Sequence, residues 1–221
     1  MAKVLVILSG CGVFDGSEIQ EAVCTLLHLD RHDAAVTVAA PNVDQMHVVD
    51  HLTGQPTQET RNVLREAARI ARGEIIDLAK TSIDDFDAVI LPGGFGAAKN
   101  LCTFATQGAG CSVHEAVEGT LRAAHAAGKP IGLICIAPAI GARLFPGVTV
   151  TIGNDPETAS AIEAMGAHHQ TRETVEICID EAQRILSTPA YMCGKRIRDV
   201  DAGIGKLVEQ VLDMAAEPAV A

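Results

Sequence analysis

Gly132-Leu133-Ile134-Cys135-Ile136-Ala137-Pro138-Ala139 is the stretch on which the reading of this chain turns. Ile131 to Ile134 is a short apolar run with the β-branched residues of a buried strand. Cys135 ends it and opens the next helix, with the small residues Ala137, Pro138 and Ala139 following close behind. A nucleophile placed on such a strand-to-helix turn is crowded, and small neighbours give it room. Taken alone, a single Cys reads as a small core residue. Its place at the junction reverses that reading. The first N–H groups and the dipole of the following helix are expected to lower the thiol pKa and favour the attacking thiolate.

Outward from this turn the same alternation recurs. Residues 3–8 (KVLVIL), 34–40 (AAVTVAA), 87–91 (DAVIL), 148–152, 175–180 and 184–188 read as strands. Residues 17–29, 60–72, 113–127, 156–165 and about 195–214 read as helices. In the first of these helices Ile19, Val23, Leu26 and Leu27 carry the apolar spacing, and Ser17 with Gln20 makes a capping box. Gly73 and Gly128 stand where helices stop. Strands alternating with helices imply an α/β fold: an open, doubly wound, mainly parallel sheet with helices on both faces, joined by right-handed crossovers. Residues 1–216 are expected to form a single domain, with 217–221 a frayed tail. Such sheets bind ligands beyond the carboxyl ends of their strands. That directs attention to loops 9–16, 41–59, 92–100 and 135–137, with 41–59 expected to cover the site and Thr53, Asn62 and Lys99 as secondary candidates.

Two of these loops are rich in glycine. Leu91-Pro92-Gly93-Gly94-Phe95-Gly96 follows a strand, and Gly93 and Gly94 can turn sharply and present free N–H groups. Facing Cys135, and helped by the N–H of Ile136, they would form an oxyanion-type pocket. Asn100, further along, is counted with that pocket. Ser9-Gly10-Cys11-Gly12-Val13-Phe14-Asp15-Gly16-Ser17-Glu18 resembles a dinucleotide loop, but its glycines are spaced GxGxxxG. No acid ends the second strand, and Asp15 and Glu18 would face a pyrophosphate, so nucleotide binding is disfavoured. Glu18 instead points at the crevice of Cys135, where a carboxyl could hydrogen-bond the thiol and shuttle a proton. Cys11, a second thiol of the same loop, is counted with the oxyanion and substrate pocket.

Composition limits the alternatives. The net charge of −11 leaves no basic patch for nucleic acid or an anionic membrane. Aromatics are 3% of the 221 residues, so the core is built of aliphatic side chains. The seven cysteines are odd in number and form no CxxC pair, which suits reduced thiols and a cytoplasmic location. The start, with Leu8-Ser9-Gly10-Cys11, mimics a lipoprotein box, yet its apolar run Val4 to Leu8 is too short for a signal peptide and reads as a first strand. Cys111 and His114 are spaced CxxH and His168-His169 are adjacent; neither makes a metal site, and no cofactor is expected.

SGCGVFDGSEIQEAV, HLTGQPTQETRNVLREAARIARGEI, LPGGFGAAKNL, GKPIGLICIAPA and TPAYM together resemble the enhancing lycopene biosynthesis protein family, within the PfpI superfamily of class I glutamine-amidotransferase-like folds. The resemblance spans essentially the whole chain. It implies a flavodoxin-like sheet, Cys135 as elbow nucleophile, Glu18 as its carboxyl partner, and Gly93 and Gly94 as the oxyanion-type pocket. It implies a homodimer, and a glutathione-independent glyoxalase activity on glyoxal or methylglyoxal, yielding glycolate or lactate. The family's older name reflects an effect on isoprenoid yield rather than a reaction. Two departures matter. The superfamily's proteases carry Cys-His at the elbow, where this chain has Cys135-Ile136. Its amidotransferases carry an HPE motif after a late strand, where this chain has Thr188-Pro189-Ala190-Tyr191. Peptidase and glutaminase activities are therefore disfavoured. A redox-sensing protein using the same thiol, or a hydrolase of unknown substrate, are the alternatives.

Overall fold

The computed structural model describes residues 1–217. In chain order it runs β1 (Lys3–Ile7), α1 (Ile19–Arg31), β2 (Ala35–Ala40), a hairpin of β3 (Val49–Asp50) and β4 (Gln55–Pro56), α2 (Val63–Ile70), β5 (Ile76–Asp77), β6 (Ala88–Leu91), α3 (Phe95–Lys99), α4 (Phe104–Gln107), α5 (Glu115–Ala126), β7 (Ile131–Ile134), α6 (Pro138–Leu144), β8 (Thr149–Val150), α7 (Pro156–Ala164), β9 (His168–His169), β10 (Cys178–Asp180), β11 (Ile185–Thr188) and α8 (Ile197–Ala216). Seven of the strands form one sheet in the order β10-β11-β7-β6-β1-β2-β5. All its pairings are parallel except that of β10 with β11.

The two faces follow from the period of two along each strand. On one face Leu5 and Ile7 of β1 and Val89 and Leu91 of β6 pack with Val117, Leu121 and Ala124 of α5 and Ile140 of α6. On the other, Val4, Val6 and Ile90 pack with Ala22 and Leu29 of α1, Val63 and Ala67 of α2, and Ile204, Leu207 and Val211 of α8. A sheet buried on both sides explains why β1, β6 and β7 read as unbroken apolar runs rather than alternating ones.

Three expectations need correcting. The helix over 17–29 starts at Ile19, and its N-cap is Glu18, whose Oε2 accepts the Glu21 N–H at 2.6 Å. Ser17 makes no capping box; its hydroxyl accepts the N–H of Ser9 at 2.8 Å instead. The rotation of α1 also differs. It buries Glu21, Ala22, Cys24, Thr25 and Leu29 and leaves Ile19, Val23 and Leu27 exposed at 44%, 48% and 39%. Close packing against α8 favours small side chains on the inner face. Finally, the fraying expected at 217–221 falls, from residue 218 on, outside the described residues.

Candidate active site

The carboxyl ends of four neighbouring strands, β11, β7, β6 and β1, converge on Cys135. The residue sits immediately after β7 with φ of 63°. That left-handed conformation costs a non-glycine residue about 1–2 kcal/mol. The surroundings hold it in place: the Cys135 N–H donates to the Thr188 carbonyl at the end of β11 (2.9 Å), and the Ala137 N–H donates to Ile134 (3.0 Å). The strained turn swings the side chain off the sheet towards the crevice, and Cys135 is 7% exposed there.

Three groups meet the sulfur. The N–H groups of Gly94 and Ile136 lie close enough to the sulfur to pull the thiol pKa down, and the Glu21 carboxyl lies close enough to push it up. Glu21 is fully buried. Its Oε2 accepts the Gly93 N–H and its Oε1 the Tyr191 N–H, both at 3.1 Å. Gly93 is a steric necessity, since a Cβ there would lie 2.4 Å from the Cys135 Cβ and 2.7 Å from Glu21 Oε2. Glu18 was expected as the carboxyl partner; the carboxyl buried beside the thiol is that of Glu21, one helical turn further on. Glu18 spends an oxygen on capping α1, and its side chain lies on the wall of the adjoining pocket. The two adjacent glycines also divide their work. Gly94 and Ile136 supply N–H groups to the sulfur, whereas the Gly93 N–H holds the carboxyl in place.

Electrostatics invert one expectation. Burial, with a smaller push from Glu18, raises Glu21 from an ordinary value of 4.5 to about 8, although the Tyr191 and Gly93 N–H groups pull it down. Burial and then the Glu21 carboxyl push Cys135 well above its ordinary value too. The N–H groups of Gly94 and Ile136 oppose this shift and are outweighed. At rest the pair therefore holds both protons at neutral pH. The low-pKa thiolate expected from the helix start is absent because a dry, carboxyl-bearing site disfavours charge.

The remaining site candidates separate. Asn100 is buried but does not line the pocket. Its Nδ2 donates to the carbonyls of Ser9 (2.9 Å) and Asp15 (2.8 Å), and its Oδ1 accepts the Met46 N–H at 3.0 Å, so it ties two loops together. Cys11 is half-buried behind the same loop and likewise lies off the pocket wall. Loop 41–59 packs on loop 10–16, with the Val49 N–H donating to Asp15 Oδ2 at 2.8 Å and Lys99 Nζ donating to the Phe14 carbonyl at 2.7 Å. It does not cover Cys135. Asn62 caps α2, and Thr53 is an exposed turn residue. The glycines of loop 10–16 serve backbone contact rather than phosphate binding: the Gly96 N–H donates to Gly16 (2.9 Å), and the Phe95 N–H donates to Val13 (2.8 Å).

The crevice opens into a cavity of about 660 Å³. Its walls come from α4 and the turn after it (Phe104 to Gly108), from α7 (Glu157, Thr158, Ala161), and from Tyr191 and Met192 after β11. No part of this wall was expected from the sequence. No histidine lines the cavity. Among the described residues no three His, Cys, Asp or Glu side chains gather as a metal cluster, and no helix is long and apolar enough to cross a membrane.

A mainly parallel sheet with a cysteine on a strand-to-helix elbow, a buried carboxyl beside it and the Gly94 N–H facing it has the architecture of a class I glutamine-amidotransferase-like domain. No family model matches the chain. It is 50% identical over 226 residues to the human glutamine amidotransferase-like class 1 domain-containing protein 3, mitochondrial, covering 98% of this chain and 84% of the human protein. A solved isoprenoid biosynthesis protein with an amidotransferase-like domain from Ehrlichia chaffeensis is 37% identical, with a TM-score of 0.91 over 97% of this chain and 99% of that one. Glyoxalase III from Candida albicans superposes with a TM-score of 0.61 over 96% of this chain and 97% of that one; at 13% identity this likeness speaks for the fold alone. The chain belongs to the family of amidotransferase-like class 1 domain proteins.

Proposed function

We propose that the chain is a glyoxalase-type enzyme that converts a 2-oxoaldehyde to a 2-hydroxy acid through a hemithioacetal on Cys135, with Glu21 as proton carrier. The observation that carries this reading is the fully buried Glu21 carboxyl beside Cys135, the two flanking Gly93 so closely that a Cβ there would strike both, with the carboxyl pKa pushed up to about 8. In the singly ionised pair the charge rests mainly on Glu21, the more acidic member; as sulfur attacks, the thiol passes its proton to that carboxylate, and the N–H groups of Gly94 and Ile136 favour the thiolate so formed. The sulfur adds to the aldehyde carbon, and Glu21 gives its proton to the carbonyl oxygen. The resulting carboxylate removes the C–H proton of the hemithioacetal carbon and returns it to the neighbouring carbon. This internal oxidation and reduction leaves a thioester. Water cleaves it, releasing the 2-hydroxy acid and restoring the thiol, with no outside oxidant.

Peptidase and glutaminase chemistry fit less well, because no histidine lines the cavity to act as general base. A redox sensor fits less well because a resting thiol held above its ordinary pKa oxidises slowly. The test is loss of glyoxal or methylglyoxal with purified protein. Cys135→Ala and Glu21→Gln are each expected to lower kcat at least 100-fold; equal rates for wild type and Cys135→Ala would overturn the proposal. Two further points belong to it. The exposed stripe Ile19, Val23 and Leu27 of α1 supports a homodimer. The seven free thiols suit a reducing compartment, the cytoplasm in this reading, although the human relative is named mitochondrial.

A further inference from the structure

Beyond the chemistry at the sulfur, the cavity carries information about what the sulfur meets. At about 660 Å³ it lies within the range of roughly 300–1,000 Å³ typical of sites for ligands of many atoms. A two-carbon dialdehyde, a few times the roughly 30 Å³ share of a water molecule, leaves most of it empty. The lining is largely apolar: Phe95, Phe104, Ile136 and Met192 contribute side chains from four separate segments. Two of these are aromatic in a chain whose aromatic content is 3%, so they are concentrated where a flat apolar group would lie.

Charge is distributed just as unevenly. The charged residues on the wall are Glu18 and Glu157, with no Lys, Arg or His among the lining residues. Lys99, which ends α3 and is not a lining residue, is engaged elsewhere: its Nζ donates to the Phe14 carbonyl at 2.7 Å, lies 3.0 Å from His47 Nε2 and sits 4.9 Å from the centre of the Phe95 ring. An anionic group entering the cavity would lose water and find two carboxylates and no counter-cation.

We propose that this site selects an uncharged carbonyl compound carrying an apolar group about the size of a phenyl ring, and rejects carboxylated or phosphorylated ones. The proposal rests on the glyoxalase-type reading for the reacting end of the substrate and extends it to the remainder. It also gives product release a cause, since the 2-hydroxy acid formed at Cys135 is anionic and the wall carboxylates repel it.

The test reads Cys135 alkylation in the wild-type protein, which needs no turnover. N-benzyl iodoacetamide, iodoacetamide and iodoacetate are each reacted with the protein, and modification of Cys135 is followed by peptide mass spectrometry. Each rate is divided by that of the same reagent with 2-mercaptoethanol. The benzyl reagent is expected to exceed iodoacetamide by at least tenfold and iodoacetate to fall at least tenfold below it. Ala161→Phe, which fills the cavity from α7, is expected to bring the benzyl advantage to one or below. A normalised benzyl rate no higher than that of iodoacetamide, or iodoacetate keeping pace with iodoacetamide, overturns the proposal. Neither result bears on the Cys135→Ala glyoxal assay, so failure of the selectivity and failure of the glyoxalase reading are told apart. In a steady-state assay kcat/KM for phenylglyoxal is expected to exceed that for glyoxal by at least tenfold.

Discussion

Replacing Glu21 by Gln removes a carboxyl that the structure buries completely beside Cys135. In the folded protein the Glu21 pKa is about 8, against an ordinary 4.5. The folded state thus holds this proton more tightly than the unfolded chain does. The stability it contributes is intact below about pH 4.5 and is lost as pH climbs through about 8. Linkage arithmetic on these two values puts the loss at about 2 kcal/mol by pH 6 and about 4.5 kcal/mol by pH 8.5. Wild type is therefore expected to lose about 2.5 kcal/mol between those pH values through this group alone. Cys135, whose ordinary value is 9.0 and whose folded value is higher, begins to act in the same direction only above this window. The Glu21→Gln variant would carry a pH-independent penalty of about 1–3 kcal/mol, because the new amide N–H₂ must face the Gly93 or Tyr191 N–H. Urea unfolding of both proteins at pH 6, 7 and 8.5 measures the difference. The variant is expected to be the less stable at pH 6 and to gain about 2.5 kcal/mol on wild type by pH 8.5. A gap that stays constant within about 0.5 kcal/mol across this range would refute the reasoning, since then Glu21 does not titrate as a buried acid.

The same pair predicts that kcat/KM for the 2-oxoaldehyde rises with pH to an apparent pKa near 8, where the first proton leaves it; a profile flat from pH 6 to 9 would contradict this. Glu18→Ala is expected to cost about 1 kcal/mol as a lost helix cap and to lower kcat far less than Glu21→Gln does, as read by paired unfolding and activity measurements. Gly93→Ala forces a Cβ to within 2.4 Å of Cys135 Cβ and 2.9 Å of the Ile134 carbonyl; it is expected to destabilise by about 3 kcal/mol or more, and a change under 1 kcal/mol would show that the elbow is not held where described. Asn100→Ala removes three hydrogen bonds between loops, so amide exchange in residues 9–16 should speed up while the Cys135 alkylation rate stays within twofold. For the proposed homodimer through α1, Val23→Glu is expected to shift the mass from dimer to monomer by light scattering, and a monomeric wild type or an unchanged mass would overturn that proposal.

The alternation of strands and helices, the elbow at Cys135 and the convergence of loops 9–16 and 92–100 on it were all legible in the sequence. Each depends on chain-local physics: a buried strand needs a run of aliphatics, a tight turn needs small residues, and the carboxyl ends of parallel strands leave a crevice. Which carboxyl meets the thiol was not legible. Glu18 and Glu21 lie one turn apart at the start of the same helix, and both have the reach. What separates them is the rotation of α1, and the apolar spacing of Ile19, Val23 and Leu27 points to the wrong face. A reading by residue size would have served better, since Ala22, Cys24 and Thr25 around Glu21 are the side chains small enough to pack against α8. The floor of the cavity, at Glu18, Gly94, Cys135 and Ile136, was expected from the sequence, but its far walls were not. Its walls at Phe104, Glu157 and Tyr191 are far apart along the chain and carry no shared pattern, so only the packing of α4, α7 and the segment after β11 brings them over Cys135. The sequence by itself picked out Cys135 and the turn that presents it. The tertiary structure decided the acid that faces it, its protonation and the size of the space beyond, because helix rotation and burial are settled by contacts between distant segments.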